Sequence, residues 1–193
     1  CSSDLYCLWL VGVSPKELRS MPKVLERVNL VKEMRLNSSA LGTRKLAERS
    51  HEFRETKNPN TYLIIPRVSS ESRRYIPIGF FDSDTIPTDS VTIIEDASLY
   101  DFGILTSNVH MAWMRTVAGR LKSDYRYSAK IVYNNFPWPE VTNTQKEKIS
   151  KTAQAILDAR ALYPDSSLAD LYDELTMPKE LRRAHQANDK AVM

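Results

Sequence analysis

A change in the spacing of apolar residues restricts the fold of this chain most strongly. Between Asn58 and Glu95 the apolar residues form three short runs, 62–65, 75–81 and 91–94, separated by Pro, Ser, Thr and Asp. Short runs rich in β-branched and aromatic residues predict strands joined by turns. On both sides the spacing is helical. We therefore predict the α+β class: a helical lead-in, a small mixed β-sheet with one long helix, and a helical C-terminal segment.

Two helical regions are predicted around and after these strands. Ser14 and Glu17 form a capping box with Pro15 at the first helical position, which predicts a helical region to about His51, broken near Asn37. A second helix is predicted from Leu99 to Leu121. Its buried stripe recurs at every fourth position and comprises Leu105, Val109, Trp113, Val117 and Leu121. A polar loop over 124–127 and a strand over 131–133 should follow.

A proline-rich segment, Asn134–Pro139, marks a domain boundary near Glu140. Its two prolines exclude both a helix and a central strand. We predict a first domain over 1–140, with a helical lead-in 1–55 and a mixed α/β part 56–140. A truncated C-terminal helical region would occupy 141–193. It should begin with a Thr144–Glu147 capping box and form three helices, over 144–163, 167–175 and 178–192.

Several kinds of chemistry lack their residues in this sequence. The five glycines are never closer than 16 residues, so no glycine-rich loop can hold a phosphate or an adenosyl cofactor. The three histidines are far apart and lack metal-ligand spacing. No Gly-x-Ser-x-Gly motif supplies a serine nucleophile. We therefore expect this chain alone to be non-catalytic, with no catalytic, cofactor or metal residues of its own.

The termini and the cysteines indicate a piece of a longer cytoplasmic protein. The chain starts at Cys1 and stops within a helical pattern at Met193, so we expect a larger parent. Its first apolar stretch, Leu8–Val13, is too short for a signal peptide, and no run could span a bilayer. Cys1 and Cys7 form neither a zinc pair nor a disulfide framework, which favours a reduced, cytoplasmic protein.

Charge is distributed unevenly, although the formal net charge is only +3. The segments 67–74 and 115–130 are basic, whereas 82–101 carries six acidic residues and no Lys or Arg. A basic face assembled from distant segments is what binding to nucleic-acid phosphates requires. The charge pattern alone also fits a solvated surface of mixed charge.

Several stretches, taken in order, resemble the MmeI-type adenine-N6 DNA methyltransferases, which are single-chain restriction–modification enzymes and their nuclease-free relatives. They are 6–10, 62–80, 100–107 and 134–139, then 171–178 followed by Leu181, His185 and Gln186. The resemblance covers essentially the whole chain. It implies that this chain is the module that recognises a target sequence in double-stranded DNA and holds the duplex during base flipping.

The resemblance also implies what lies outside this chain. The parent would transfer a methyl group from S-adenosylmethionine to N6 of an adenine. Its cofactor site and catalytic motifs would belong to a methyltransferase domain upstream of Cys1. Asn134–Pro139 superficially resembles the catalytic loop of such enzymes, but Phe136 and Trp138 interrupt it, so we predict a structural turn.

The family implies base contacts from loops at the edge of strand 62–66 and after the long helix. Arginine can donate two hydrogen bonds to guanine, and a carboxylate can accept one from cytosine. Tyr125 and Tyr127 could stack on a sugar or base, and two helix-borne arginines are expected to contact phosphates. The candidate residues are Arg67, Ser69, Ser70, Glu71, Arg73 and Arg74, then Lys122, Ser123, Asp124 and Arg126, with Arg115 and Arg120 as the phosphate contacts.

Each candidate also has a structural explanation. Arg67 could pair with Glu71, and Asp124 with Arg126. Arg73 and Arg74, if both lie on a strand, would point to opposite faces. Trp113 is expected in the core. For the chain as a whole, the alternative function is a protein–protein docking module of a larger bacterial protein, with the helical tail as its interface. The acidic stretch 82–101 favours that alternative.

Overall fold

The computed structural model describes residues 6–193, so Cys1 lies outside the described residues. The chain forms two compact units, one ending at Lys57 and the other running from Asn58 to Met193. Within the described residues, no helix is both long and apolar enough to cross a bilayer.

The N-terminal unit is helical, as predicted. It contains α1 (Pro15–Ser20), α2 (Pro22–Leu36), α3 (Leu41–Lys45) and a 3-10 turn (Leu46–Arg49). The Ser14–Glu17 capping box is present. Pro22 begins α2 directly after α1, which adds a break at Met21 that the pattern did not show. The Arg35 guanidinium donates to the carbonyls of Leu46, Arg49 and Glu52 at 2.8, 3.0 and 2.8 Å, and so fixes the end of the unit against α2.

The second unit begins with four strands: β1 (Thr61–Pro66), β2 (Val68–Ser69), β3 (Gly79–Asp82) and β4 (Val91–Glu95). Strands β3, β1 and β4 form an antiparallel sheet with β1 in the centre. The predicted strands 62–66 and 91–94 are confirmed. The predicted strand 75–81 is wrong over its first half, because Tyr75, Ile76 and Ile78 are buried in an irregular segment that fills the core instead of pairing.

The predicted long helix is wrong, because it breaks at Thr106–Ser107 into α4 (Leu99–Leu105) and α5 (Asn108–Val117). The predicted buried stripe fails with it. Val109 is 41% exposed and Leu121 is 53% exposed, while the buried face of α5 is formed by His110, Met111 and Met114. A new N-cap at Ser107 rotates the second helix relative to the first, so one stripe cannot continue across the break.

A β-hairpin replaces the polar loop predicted for 124–127. Its strands are β5 (Gly119–Leu121) and β6 (Asp124–Arg126). The strand predicted over 131–133 is also wrong, since Ala129–Tyr133 forms a π-helical turn in which Val132 is buried. A short β-branched run does not distinguish a strand from a buried helical turn, and packing decided here.

The C-terminal region is helical, as predicted, with α6 (Asn143–Ala161), α7 (Leu168–Leu171) and α8 (Lys179–Val192). The predicted Thr144–Glu147 capping box is wrong. Thr142 caps α6, and Gln145 completes the box by accepting from the Thr142 amide at 2.8 Å. Thr142-x-x-Gln145 satisfies the same rule and starts the helix two residues earlier.

Helix α6 packs against both α4 and α8 and completes the core of this unit. Its buried face contains Ile149, Ala153 and Ile156. Gly103 of α4 lies against this face, and a methyl group there would stand 2.7 Å from Ile149 Cγ2 and 3.1 Å from Ala153 Cβ. Glycine is therefore required by the close approach of the two helices.

Helix α8 closes the break between α4 and α5. The Asn188 side chain donates to the Gly103 carbonyl at 2.7 Å, and Asp189 accepts from the Asn108 amide at 2.7 Å. A helix that ends or begins in the core needs partners for the backbone groups left outside its own hydrogen-bond ladder. Two adjacent side chains of α8 supply them on the two sides of the break.

The contact at Gly103 predicts the effect of a single methyl group. We expect Gly103→Ala to lower the free energy of unfolding by about 1–3 kcal/mol, the usual cost of overpacking a core. Urea denaturation measures this. Gly42→Ala is the matched control, because Gly42 is also helical and has no atom within 4 Å of the added carbon. It should be neutral or stabilising by up to about 1 kcal/mol, and an equal loss in both variants would contradict the packing argument.

Candidate nucleic-acid interface

A second small sheet brings the two predicted recognition segments together. Strand β6 pairs with β2 on one side and with β5 on the other, all antiparallel. Arg126 is opposite Val68 on one side and Gly119 on the other. The Tyr127 amide donates to the Arg67 carbonyl at 2.8 Å and extends the pairing. Segments about fifty positions apart in sequence thus form one surface, which we call the recognition sheet (67–74 with 119–127).

Arg120 links the two halves of the recognition sheet. Its Nη1 lies 3.3 Å from Glu71 Oε2 and donates to the Ser123 carbonyl at 2.7 Å. Its guanidinium carbon stands 3.8 Å from the centre of the Tyr125 ring. Glu71 thus pairs with Arg120 and not, as the spacing had allowed, with Arg67. Arg120 lies on β5 and not on a helix, so the helix-borne position predicted for it is wrong.

Arg115 and Arg74 form the second link. Arg115 on α5 donates to the Arg74 carbonyl at 2.5 Å, and the Arg74 guanidinium lies 5.5 Å from the Tyr75 ring centre. Neither Arg73 nor Arg74 lies on a strand. The prediction that they alternate between opposite faces of a strand is therefore wrong, because the turn at Ser70–Arg73 bends the backbone first.

Most of the candidate residues reach the surface. Exposed are Arg67, Glu71, Arg74, Arg120, Lys122, Ser123 and Arg126, while Ser70, Arg73, Arg115 and Asp124 are half-buried. Ser69 is the exception, since only 3% of it is exposed. Its position on β2 opposite Tyr125 turns its side chain into the protein, so the structure does not place it on the recognition surface.

Lys122 occupies a strained position at the tip of the β5–β6 hairpin. Its φ is 56°, in the left-handed region that glycine adopts more easily. Holding a lysine there costs about 1–2 kcal/mol. Leu121 pairs with Asp124, so Lys122 and Ser123 form a two-residue hairpin turn, which requires a positive φ at its first residue.

The tyrosines expected to stack on DNA form the underside of the recognition sheet. Tyr125 is 8% exposed and Tyr127 is 2% exposed, so the stacking expected of them is not available. The Tyr127 hydroxyl lies 3.1 Å from His110 Nε2 on α5. The pKa of Tyr127 is raised by burial, and burial lowers the pKa of His110 from 6.5 to about 4. Both groups are therefore neutral at physiological pH.

The two tryptophans near the proline-rich segment are structural, as predicted for Trp113. Its indole donates to the Val132 carbonyl at 2.9 Å and packs edge-on against Phe136. Trp138 packs edge-on against Tyr133 and Phe136. The Asn134–Pro139 segment is accordingly a turn that seals this part of the core.

The turn Thr88–Ser90 borders the recognition sheet, which the sequence did not predict. The Arg67 amide donates to the Ser90 carbonyl at 3.0 Å, and Asp89 beside it is exposed. The register would have located this turn, because Val91 pairs with Pro66 at the end of β1. Strand pairing could not be read from one sequence. The acidic charge of the turn had favoured a docking surface instead.

Within residues 6–193, no group of three His, Cys, Asp or Glu side chains is arranged to hold a metal ion. Cys7 is a free, exposed thiol.

Two family models together match nearly the whole chain. Residues 2–140 match the model of the MmeI target recognition domain, and residues 141–193 match that of the MmeI C-terminal domain.

The chain belongs to the MmeI target recognition domain family. Its structure superimposes with a TM-score of 0.93 on a solved structure of the type IIL restriction–modification enzyme MmeI in complex with DNA, at 50% identity over 96% of this chain. It is also 44% identical, over 188 residues and 97% of its length, to DNA methyltransferase A of Bacillus subtilis (strain 168). The chain spans 25% of the MmeI chain and 21% of the methyltransferase.

These matches confirm the resemblance and the α+β class, and they give no support to the docking-module alternative. Residues that match the MmeI target recognition domain are followed in this chain by residues that match the MmeI C-terminal domain, as the resemblance implied. The individual base and phosphate contacts stay predictions.

Because His110 is buried, we expect the stability of this MmeI domain to depend on pH. Between pH 6.5 and pH 4 the imidazole of the unfolded chain binds a proton and the folded one does not, so acid favours unfolding. We expect His110 alone to remove about 2 kcal/mol of stability between pH 6.5 and pH 5, at about 1.4 kcal/mol for each pH unit.

Chemical denaturation at several pH values tests this. His110→Gln should flatten the dependence, and the part that remains includes the contribution of His185, whose pKa burial also lowers. His51→Gln, which keeps both buried imidazoles, is the matched control. A wild-type slope in His110→Gln would contradict the assignment.

Proposed function

We propose that this domain recognises a short sequence in double-stranded DNA on behalf of an adenine-N6 methyltransferase. The recognition sheet supports this most directly, because it joins two basic segments into one surface just beyond the end of β1. The side chains on that surface carry both kinds of group that distinguish base pairs in the major groove, paired donors and carboxylate acceptors. A solved relative was captured with DNA bound.

The exposed residues fall into two groups. In the first, the side chain forms a hydrogen bond or an ion pair within the protein; in the second, it forms neither with any of residues 6–193. Arg67, Lys122 and Arg126 belong to the second group, and we assign base contacts to them. An arginine fork fits O6 and N7 of guanine, and the ammonium group of Lys122, at the exposed hairpin tip, can donate to the same acceptors. Asp124 and Ser123 supply acceptors next to them, and Ser70 can either donate or accept.

Arg115 and Arg120 have a different role in this proposal. Each already donates to a backbone carbonyl of the recognition sheet, so its orientation is fixed before DNA arrives. Their remaining N–H groups can contact phosphates, which position a duplex without identifying its sequence. Glu71, Arg73 and Arg74 border the same surface. Glu71 can contact bases only if DNA displaces it from Arg120. Their ion pair is exposed and therefore weak.

The cofactor S-adenosylmethionine would bind elsewhere in the parent. The residues of this chain do not fit it, because the five glycines are isolated and none forms a phosphate- or adenosyl-binding loop. We propose that an upstream methyltransferase domain of the same protein binds the cofactor and carries out methyl transfer. This chain then places the target adenine there by holding the flanking duplex. Such a protein would act in the bacterial cytoplasm.

Truncating Arg126 tests the base-contact assignment. Arg126→Ala should weaken binding of the parent to its target duplex by roughly 1–3 kcal/mol and relax the preference at one base pair. Because Arg126 contributes only backbone groups to the strand pairs, the sheet should stay intact. Fluorescence anisotropy gives the affinity, and mapping methylated adenines in a host that lacks adenine methylation gives the sequence preference.

Lys148→Ala is the matched control, since it removes one positive charge from an exposed position on α6. It should leave the methylated motif unchanged. An identical motif for wild type and Arg126→Ala, with reduced activity only, would show that Arg126 positions DNA and does not discriminate bases. Binding that hardly changes with salt would contradict DNA recognition itself and favour an apolar docking surface.

A further inference from the structure

A single carboxylate from the C-terminal helix contacts two elements that lead into the recognition sheet, the residue after segment 67–74 and the start of α5. Asp189 of α8 is 5% exposed. Its Oδ2 accepts from the Tyr75 hydroxyl at 2.7 Å, and its Oδ1 accepts from the Asn108 amide at 2.7 Å. We propose that Asp189 is a positioning residue for sequence discrimination, acting through Tyr75 and α5. The proposal rests on the proposed function.

The first connection between Asp189 and the recognition sheet is made by Tyr75, which directly follows Arg73 and Arg74. Its ring stacks on His185 of α8, with centroids 4.1 Å apart and planes inclined by 22°. The Asp189 hydrogen bond fixes the rotation of the ring within this stack. The Arg74 guanidinium lies 5.5 Å from the centre of the same ring, and the Arg74 carbonyl accepts from Arg115. Tyr75 therefore fixes the point at which segment 67–74 leaves the core.

The second path runs through α5. The Asn108 amide is at the first position of that helix, where backbone N–H groups have no partner in the helix and the helix dipole favours a negative charge. Helix α5 has only ten residues and ends at Val117, two positions before β5. A carboxylate that fixes the start of so short a helix also fixes the direction in which the hairpin leaves its end.

The neighbouring Asn188 shows that the arrangement at Asp189 is specific. Asn188 is buried as well, but its partners are the Gly103 carbonyl and the Thr152 hydroxyl, on α4 and α6. Neither of these helices continues into the recognition sheet. The two adjacent residues thus make equally buried polar contacts, and only those of Asp189 lead to the DNA-facing surface.

A carboxylate is expensive to bury, and here its two oxygens satisfy a hydroxyl and a backbone N–H that would otherwise be buried without partners. What a carboxylate adds is direction, since its two oxygens impose one geometry on two donors from different segments. A base-specific contact needs such precision, because a displaced side chain loses its discriminating hydrogen bonds before it loses charge attraction.

Two conservative variants of the intact parent protein test the proposal. Tyr75→Phe removes one hydrogen bond to Asp189 and keeps both the ring and the Asn108 contact. Asp189→Asn weakens both contacts, because a neutral amide replaces the charged acceptor and its nitrogen can only donate, which forces the Tyr75 hydroxyl to turn and accept. Each protein is bound to a duplex library with a randomised core, and the bound fraction is sequenced. The melting temperature of each protein is measured in parallel.

We expect Tyr75→Phe to reduce discrimination roughly fivefold or more at the base pairs contacted by segment 67–74, the lower end of what one bidentate contact supplies. Preferences set by the hairpin should persist in this variant. Asp189→Asn should reduce both sets. Total binding at low salt should change little, because phosphate attraction is unaffected.

Asn188→Ala and Tyr163→Phe are the controls. Asn188→Ala should lower the melting temperature without altering base preferences. Tyr163→Phe removes another tyrosine–carboxylate bond of the C-terminal region, to Glu180 at 2.8 Å on the surface, and should alter neither. Base preferences unchanged in Tyr75→Phe and Asp189→Asn, with a melting temperature lowered as in Asn188→Ala, would overturn the positioning role. A wild-type protein that selects no sequence would instead overturn the proposed function, and with it this inference.

Discussion

The arrangement of the second unit depends on the break between α4 and α5 and on the helix that closes it. Thr106 and Ser107 interrupt what would otherwise be one continuous helix, and α8 supplies an acceptor on one side of the break and a donor on the other. A buried break without these partners would leave an N–H and a carbonyl unsatisfied, at a cost of about 1–3 kcal/mol each. Gly103 lets α6 approach closely enough to hold α8 in place. Residues of the C-terminal region therefore complete the core beneath the recognition sheet.

For this reason the residues from Asn58 onward form one compact unit, although they match two different family models. The matched regions meet between residues 140 and 141, whereas the compact unit extends from Asn58 to Met193. The polar contacts of α8 with Tyr75, Gly103 and Asn108 cross that boundary. Of these contacts, those of Asp189 with Tyr75 and Asn108 lead toward the recognition sheet, through the residue that follows Arg74 and through α5.

The electrostatics of the surface combine preorganisation with exposure. Arg120 is held by Glu71, by a backbone carbonyl and by the face of Tyr125, so its charge is displayed in one orientation. Exposed ion pairs of this kind contribute little to stability, at most about 1 kcal/mol. Their effect here is on geometry, since the pair joins the two segments of the recognition sheet. Arg67 and Arg126 remain exposed around this fixed centre.

The sequence by itself determined the class of the fold, the helical lead-in and tail, two strands of the main sheet and the two basic segments. Each depends on local chemistry: periodicity, capping and turn residues act within a few positions, and the motifs of the family are contiguous. The sequence did not predict the pairing of β2 with β6, the break at Thr106–Ser107, the burial of Ser69, Tyr125 and Tyr127, or the partners of Asp189. Those features depend on contacts between segments far apart in the chain. Only the tertiary structure could decide them, because the same local pattern fits a continuous helix or a broken one until another helix provides, or fails to provide, the missing hydrogen bonds.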